Sequence, residues 1–164
     1  DLPPGPPIPV RDHVILVGFG RVGSLIGQRL HAAGIALALI EPDIDAVERA
    51  RAPDIPALAG NAASAEKLAA VRVGEARALV VAIPQALEAG QIIRHARAAN
   101  PAIAVLARAH SDEEVAYLLG AGADAAVMGE REIAVSVCES IGGRAGWFQR
   151  GSDNVMMPPD DAAA

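Results

Sequence analysis

The stretch that decides the fold runs from His13 to Gly23 and reads HVILVGFGRVG. A short apolar run ends in G-x-G-x-x-G, and a helix-like pattern follows at once and stops at Gly34. This order of strand, glycines and helix is the context that a dinucleotide-binding fingerprint requires. The first glycine allows a tight turn, the second lets a phosphate approach the backbone, and the third lets the helix pack closely. The free N–H groups of the helix's first turn then face the anion.

An acidic residue supports this interpretation. The next apolar run, residues 35–40, ends at Glu41, at the distance of about 20 residues where a ribose-binding carboxylate belongs. Strand, helix and strand also fit within one βαβ unit of about 30 residues. The alternative is a tight turn without a ligand, in which Glu41 only caps the next helix. The motif in its context favours a nucleotide site.

Composition limits the classes of function. The chain has 164 residues, enough for one domain with a buried core, and is 52% hydrophobic but only 2% aromatic. Its net charge of −6 argues against general binding to nucleic acid or to acidic membranes. The one cysteine, Cys138, excludes an internal disulfide and argues against a thiolate metal site. No apolar run reaches the length of a membrane span.

Apolar runs and helical patterns alternate along the rest of the chain. The clearest buried strand is residues 78–83, which is apolar throughout, as expected of a central strand covered on both faces. This alternation predicts an α/β fold: a doubly wound, Rossmann-like sheet of six parallel strands with helices on both faces. The further predicted elements are helix 43–52, strand 56–59, helix 64–71, helix 86–99, strand 103–107, a helix from Ser111 to Gly120 or Gly122, strand 123–128 and a helix from Glu130.

The two ends of the chain have a different composition. Proline occupies positions 3, 4, 6, 7 and 9, so residues 1–12 are predicted to be a Pro-rich linker that holds the domain away from something upstream. The domain itself is predicted to span residues 13–141. Residues 142–164 are predicted to be a tail, partly disordered or in contact with a partner. Within it, Trp147 and Phe148 either pack on the sheet domain or anchor a partner.

The sequence does not predict an enzyme. A dehydrogenase needs a substrate pocket with an acid or base beside the nicotinamide, and this chain ends soon after one nucleotide-binding fold. The four histidines lie on separate predicted elements, and only His110 follows a strand near the predicted cleft. The sequence has no metal-ligand spacing, P-loop or nucleophile elbow. We therefore expect no catalytic residues and no metal.

Six motifs, in order, resemble one family. The segment from His13 to about Ile141 resembles the N-terminal RCK (regulator of potassium conductance, TrkA-N-like) domain of bacterial potassium channels and transporters. It is most similar to the cytoplasmic domain of Kef-type monovalent cation:proton antiporters. The motifs are VILVGFGRVG at 14–23, IEPD at 40–43, AGNA at 59–62, VVAIP at 80–84, ARAH at 107–110 and GAGAD at 120–124.

The resemblance implies a site for an adenine nucleotide such as NAD(H), AMP or ATP. The glycine-rich turn would meet the phosphates, Glu41 would hold the ribose hydroxyls, and Asn61 would lie by the adenine. The family commonly has Asp where this chain has Asn61, whose amide accepts a hydrogen bond more weakly than a carboxylate. The implied cofactor-binding residues are Gly18, Phe19, Gly20, Arg21, Val22, Gly23, Glu41, Pro42, Asp43, Asn61, Ala62, Ile83 and Arg108.

The negative charge of Glu41 narrows the choice of ligand further. A 2′-phosphate beside Glu41 would place like charges about 4 Å apart, at a cost of about 1 kcal/mol in water and about 4 kcal/mol in a partly buried site. The residues that directly follow Glu41 are Pro42 and Asp43, which do not offset this charge. NADP is therefore disfavoured. Arg21 and Arg108 are candidate phosphate ligands, because guanidinium suits bidentate contacts.

The resemblance also implies a biological role. The domain would bind the nucleotide and gate an attached potassium or cation transporter or antiporter, at the cytoplasmic face of the bacterial inner membrane. Two copies are expected to pair through the helix at residues 130–141, whose apolar face carries Ile133, Ala134, Val137, Cys138 and Ile141. The alternative is the cofactor-binding half of an NAD-dependent oxidoreductase.

Overall fold

The computed structural model describes residues 2–145, 149–150 and 156–157. The chain divides into two compact units, residues 1–126 and residues 127–164. Strands and helices alternate throughout the first unit, as the sequence predicts. The elements are β1 Val14–Val17, α1 Arg21–Ala32, β2 Leu37–Glu41, α2 Ile44–Arg51, β3 Ala57–Ala59, α3 Ala65–Ala70, a 3₁₀ turn Val73–Glu75, β4 Ala78–Val81, α4 Ala86–Ala99, β5 Ala104–Ala109, α5 Asp112–Ala121, β6 Ala125–Met128, α6 Gly129–Ala145, β7 Gln149–Arg150 and β8 Met156–Met157.

The first six strands form one parallel sheet in the order β3-β2-β1-β4-β5-β6. This confirms the predicted doubly wound fold. Strand β1 lies between β2 and β4, with Leu16 paired to Leu39 on one side and to Val80 on the other. Because the chain leaves β1 toward β2 and later returns to β4, the strand order reverses between β1 and β4. Ligands of such sheets bind beyond the carboxyl ends of the strands at this reversal.

Each face of the sheet covers its own core. Alternate residues of a strand point to opposite faces, so Ile15 and Val17 join one buried cluster, whereas Val14 and Leu16 join the other. Strands β1 and β2 are buried along their whole length, which is why β1 and the first four residues of β2 read as unbroken apolar runs. The larger cluster lies under α4 and contains Ile92 and Ile93, both fully buried.

Side chains cap three of the helices at predicted positions. Asp43 accepts from Asp45 N at α2, Ser64 from Lys67 N at α3, and Ser111 from Glu114 N at α5. Helix α5 ends at Gly122 with a φ of 119°, a conformation that favours glycine. Several predicted strand bounds are wrong by two residues. Strand β4 ends at Val81 rather than at residue 83, β5 ends at Ala109 rather than at residue 107, and β6 begins at Ala125 rather than at residue 123. Helix α6 reaches Ala145, and the domain boundary at residue 141 stays a prediction.

The Pro-rich segment is packed against the first unit. Leu2 packs on one core cluster and Ile8 on the other. The carbonyl of Pro3 accepts a hydrogen bond from Arg51 Nη1 at 2.6 Å, and the carbonyl of Val10 accepts one from Arg72 Nε at 3.0 Å. Residues 2–12 therefore lie along the domain as a strap. That this segment links the domain to something upstream stays a prediction.

The second unit contains α6 and a short antiparallel pair, β7 with β8. The predicted roles of Trp147 and Phe148 lie outside the described residues. Within the part of the chain that the structure describes, every helix is too short or too polar to cross a membrane.

Candidate functional site

The turn from β1 into α1 needs glycine at two positions. Gly18 has a φ of 96°, and a Cβ there would lie 3.0 Å from Ile83 Cγ2. A Cβ on Gly23 would lie 2.0 Å from the carbonyl oxygen of Gly18, so this position has no room for any side chain. Helix α1 therefore starts directly against the turn. Its first-turn N–H groups face the space beyond β1.

Gly20 is different from these two glycines. It is the N-cap of α1 and has a φ of −78°, which any residue adopts. A Cβ added to Gly20 would meet no atom within 4 Å in the described part of the chain. Gly20 also lines the cavity described below. The fold therefore does not require glycine here, and the open space beside Gly20 leaves its backbone accessible from the cavity.

Glu41 is almost fully buried, with 9% of its surface exposed, and holds the turn in place. Its Oε2 accepts a hydrogen bond from Phe19 N at 2.7 Å, and its Oε1 accepts one from Asp43 N at 2.9 Å. The carboxylate thus ties the glycine-rich turn to the beginning of α2. Each carboxylate oxygen can accept a further hydrogen bond, so both retain capacity for ligand hydroxyls.

Asn61 and Ala62 follow β3 at the same edge of the sheet. The Oδ1 of Asn61 accepts a hydrogen bond from Ala63 N at 2.8 Å, which forms a local turn. Ala62 is buried, with 3% of its surface exposed. The amide group of Asn61 leaves its two N–H donors and one oxygen lone pair for other partners.

These elements enclose a cavity of ≈ 510 Å³ at the carboxyl ends of the strands. Its volume is in the range of small-molecule sites. Of the predicted site residues, all but Val22 and Gly23 line it. Among the described residues, the lining is Val17, Gly18, Phe19, Gly20, Arg21, Ile40, Glu41, Pro42, Asp43, Ala46, Arg49, Asn61, Ala62, Ala82, Ile83, Pro84, Gln85, Glu88 and Arg108.

The cavity carries several charges without protein partners. Arg21, Arg49 and Arg108 line it, and among the described residues none of the three guanidinium groups has a hydrogen-bond or ion-pair partner. Arg49 and Glu88 were not predicted as site residues. Each lies in the first or second turn of a helix that follows a strand. The two residues come close to the glycine-rich turn only when the strands assemble into the sheet. The sequence does predict helices α2 and α4, and charged residues in the first turns of these helices could have been named as candidates.

The histidine predicted near the cleft belongs to a separate pair of side chains. His110 does not line the cavity; its Nδ1 lies 3.3 Å from the carboxylate of Glu114, one turn along α5. Among the described residues, no group of three or more His, Cys, Asp or Glu side chains could hold a metal ion. The cavity instead presents acceptors at one place and guanidinium groups at others, an arrangement suited to binding a ligand with both hydroxyl and anionic groups.

The parallel sheet, the bare helix terminus and the buried acid at the end of β2 define a nucleotide-binding class of α/β domain. Comparison with known families is more specific. The TrkA-N domain family matches residues 14–129, and the chain belongs to this family.

One similar protein is YbaL of Escherichia coli strain K12, which is named as a cation/proton antiporter. It is 45% identical over 135 residues, which cover 82% of this chain and 24% of YbaL. The crystal structure of the YbaL TrkA-N domain superposes with a TM-score of 0.77 and covers 80% of this chain and 98% of that one. The chain thus spans about a quarter of this relative, so similarity to the transporter is confined to one domain.

Two further solved structures contain nucleotides. The C-terminal domain of Kef from Shewanella denitrificans in its AMP-bound form is 26% identical, with a TM-score of 0.66 and coverage of 82% of this chain and 81% of that one. The GsuK channel bound to NAD is 16% identical, with a TM-score of 0.70 and coverage of 80% of this chain and 24% of that one. The GsuK likeness shows the fold alone.

Proposed function

We propose that this domain binds an adenine nucleotide in the cavity and regulates an attached cation transporter. The observation that carries the proposal is the position of Glu41, a buried carboxylate that lines the cavity beside the uncapped start of α1. A ribose needs acceptors for its hydroxyls, and a phosphate needs unpaired N–H groups. The AMP-bound Kef domain, which is 26% identical, supports this choice of ligand.

In the proposed complex the glycine-rich turn holds the phosphates. Phe19 N is already engaged by Glu41, so the backbone donors for the phosphates are those from Gly20 to Gly23. Arg21 and Arg108 neutralise the phosphate charge. The adenine lies toward Asn61 and Ala62, and the remaining predicted positions, Pro42, Asp43 and Ile83, form the walls.

NADP stays disfavoured in this proposal. A 2′-phosphate would approach a buried carboxylate whose two oxygens already accept backbone hydrogen bonds. Arg49, on the second turn of α2, lines the same cavity and carries the opposite charge. The selectivity against NADP therefore rests on Glu41 and should be moderate, not absolute.

The regulatory part of the proposal concerns the whole transporter. The domain would act as a sensor and not as an enzyme, at the cytoplasmic face of the inner membrane. YbaL is named as a cation/proton antiporter and as an inner membrane protein, and most of its length lies outside the region similar to this chain. Two copies would pair through α6, on which Ile133, Val137 and Ile141 are each more than half exposed.

Glu41→Gln tests the nucleotide site. The thermal unfolding of the 164-residue chain would be followed with AMP, ATP, NAD⁺, NADH and NADP⁺ in parallel. A ligand at about 100 times its Kd adds about 2.7 kcal/mol, which is a shift of several degrees. Without ligand, Glu41→Gln should lose about 1–3 kcal/mol, because one backbone N–H then faces an amide donor. The variant should also lose most of the ligand-induced shift.

Glu113→Gln is the matched control, since Glu113 is an exposed acid on the first turn of α5 and does not line the cavity. It should keep the full ligand-induced shift. The proposal fails if no adenine nucleotide stabilises the wild-type chain, or if Glu41→Gln is stabilised as strongly as the wild type.

A further inference from the structure

The cavity extends past the region that a mononucleotide at Glu41 would fill. Glu41 and Asn61 follow β2 and β3, on one side of β1. Pro84 and Glu88 follow β4, on the other side, and Arg108 lies on β5 beyond it. The cavity therefore crosses the point at which the strand order reverses. The lining on the β4 side is available to a second group attached to the phosphates.

Glu88 is the acidic residue on that side. It lies in the first turn of α4, is half-buried, and has no hydrogen-bond or ion-pair partner among the residues that the structure describes. Partial burial removes water from a carboxylate, and the positive end of the α4 dipole offsets only part of that loss. A cation in the cavity would offset the remaining loss of hydration free energy.

In the proposed nucleotide complex, the arginine side chains of the cavity are not available to Glu88. Arg21 and Arg108 face the phosphates in the proposed function, and Arg49 is on α2, on the β2 side of the sheet. A bound diphosphate attracts guanidinium groups more strongly than a single carboxylate does. Glu88 is then left without a partner unless the ligand itself brings a positive charge.

Resting on the proposed function, we propose that Glu88 makes the site selective for the oxidised form of a nicotinamide dinucleotide. The nicotinamide ring of NAD⁺ carries a formal positive charge, and that of NADH is neutral. With the adenosine half at Glu41, the second half reaches the β4 side of the cavity, where the Glu88 carboxylate stabilises the charged ring. AMP has no group there, so its binding is independent of Glu88.

The expected selectivity follows from Coulomb's law. Two unit charges about 6 Å apart, at an effective dielectric constant between about 40 and 80, change an affinity by about three- to tenfold. The effect should shrink as salt concentration rises, because part of the cavity is open to solvent.

Glu88→Gln tests the assignment, since it keeps the side chain's size and removes its charge. Isothermal titration calorimetry would measure the Kd values of NAD⁺, NADH and AMP for the wild type, for Glu88→Gln and for the control Glu113→Gln. Glu113 occupies the first turn of α5 as Glu88 occupies that of α4, but it lies outside the cavity. We expect the NADH-to-NAD⁺ ratio of Kd values to fall about three- to tenfold in Glu88→Gln only. The Kd of AMP should stay within about twofold.

The outcomes separate the two proposals. If AMP binds and the ratio is the same in Glu88→Gln and the wild type, or if AMP binds and neither dinucleotide does, the role of Glu88 is refuted and the nucleotide site stands. If no adenine nucleotide binds the wild type, the proposed function fails and the role of Glu88 fails with it.

Discussion

Gly20 and Gly23 belong to one motif but are held there by different constraints. Gly23 leaves no room for a Cβ, which would lie 2.0 Å from the carbonyl oxygen of Gly18. Gly20 borders open space and lines the cavity. The fold requires glycine at position 23, and the proposed ligand requires it at position 20.

Alanine at each position should separate stability from binding. Gly23→Ala should destabilise the domain by about 1–3 kcal/mol, because the turn must move away from α1. Gly20→Ala should cost less than about 1 kcal/mol, the difference between glycine and alanine at an N-cap. It should nevertheless weaken AMP and NAD⁺ binding at least about tenfold, since its methyl group occupies the phosphate approach. Urea unfolding measures the loss of stability, and calorimetry measures the loss of affinity. A Gly20→Ala variant that loses as much stability as Gly23→Ala, or that binds AMP as tightly as the wild type, would contradict this division.

Most of the residues named from the sequence line one cavity, because the pattern that names them is local. Gly18, Gly20, Gly23 and Glu41 lie within a single βαβ unit, whose spacing the sequence displays directly. It did not predict that Glu41 binds Phe19 N, since a ribose carboxylate and a structural one have the same position in sequence. It also did not predict that His13 is fully buried with its Nε2 2.7 Å from the carbonyl of Val71, a contact between residues distant in the chain.

Among the elements, α2 joins the strap to the edge of the sheet. Arg51, the last residue of α2, donates from Nη1 to the carbonyl of Pro3 at 2.6 Å and from Nη2 to the carbonyl of Ala57 at 2.8 Å. A Cβ on Gly5 would lie 2.5 Å from Arg51 Nε, so the strap passes close to the guanidinium group. One side chain thus connects the Pro-rich segment, α2 and β3.

Arg51→Met should release the strap and leave the sheet intact. The substitution keeps an apolar stem and removes every donor. The prolines have no amide hydrogen, so the readout is Leu2, Gly5 and Ile8, whose amides should exchange at least about tenfold faster. The loss of stability should be about 1–3 kcal/mol, because the carbonyl of Ala57 loses its side-chain donor. Arg49→Met is the control, since Arg49 lies on the same helix, is exposed and has no partner among the described residues. Unchanged exchange in Arg51→Met would show that Arg51 does not hold the strap in place.

The connection from α5 to β6 gives the fold a dependence on pH. Asp124 Oδ2 accepts a hydrogen bond from Val105 N at 2.7 Å and lies 3.3 Å from Arg97 Nη2. The hydrogen bond from Val105 N, and then Arg97, lower the pKa of Asp124 below its ordinary value of 3.8. A lowered pKa means that the folded state favours the carboxylate. The stabilisation is therefore fully present above the ordinary value and is lost as the pH falls through the folded pKa.

Asp124→Asn should remove this acid-dependent contribution. The variant should be less stable than the wild type at pH 7, and the difference should shrink as the pH falls below the ordinary value of 3.8. Urea unfolding at several pH values from neutral to acid measures this. Glu113→Gln removes one negative charge from the exposed surface and controls for net charge. A difference that grows with acidification would contradict the assigned direction.

The predicted elements show where sequence patterning reaches its limits. Helix α4 was predicted with its observed bounds, because Pro84 and Asn100-Pro101 mark both ends. Strand β4 ends two residues early, since apolar character alone does not tell a strand from the buried chain that follows it. The packing of the Pro-rich segment depends on Arg51, a residue far along the chain, and local composition does not show it.

At the scale of the whole molecule, α6 is the surface on which assembly is expected. Ile133 is 66% exposed, Val137 52% and Ile141 57%. Their spacing of four residues places them along one stripe of the helix. A two-fold symmetric dimer pairs the same surface of both copies, and an exposed apolar stripe can bury itself in this way.

Val137→Glu should keep the chain monomeric. A carboxylate at the centre of the stripe would be buried without a partner in a dimer, at a cost that exceeds its effect on the monomer. Light scattering at micromolar concentration should give twice the mass of 16.8 kDa for the wild type and the single mass for the variant. The matched substitution Ser136→Glu, at the neighbouring exposed position, should leave the dimer intact. A monomeric wild type would remove α6 from the account.

The central claim is that a nucleotide's phosphates lie on the backbone amides at the start of α1 while Glu41 holds its ribose. Amide resonances of a ¹⁵N-labelled chain, followed during titration with AMP and then with NAD⁺, report on those positions directly. We expect the largest shifts on Gly20, Arg21, Val22 and Gly23, with smaller ones at Asp43 and Ala62. Saturating nucleotide that leaves these amides unmoved, or that shifts a separate surface instead, would contradict it.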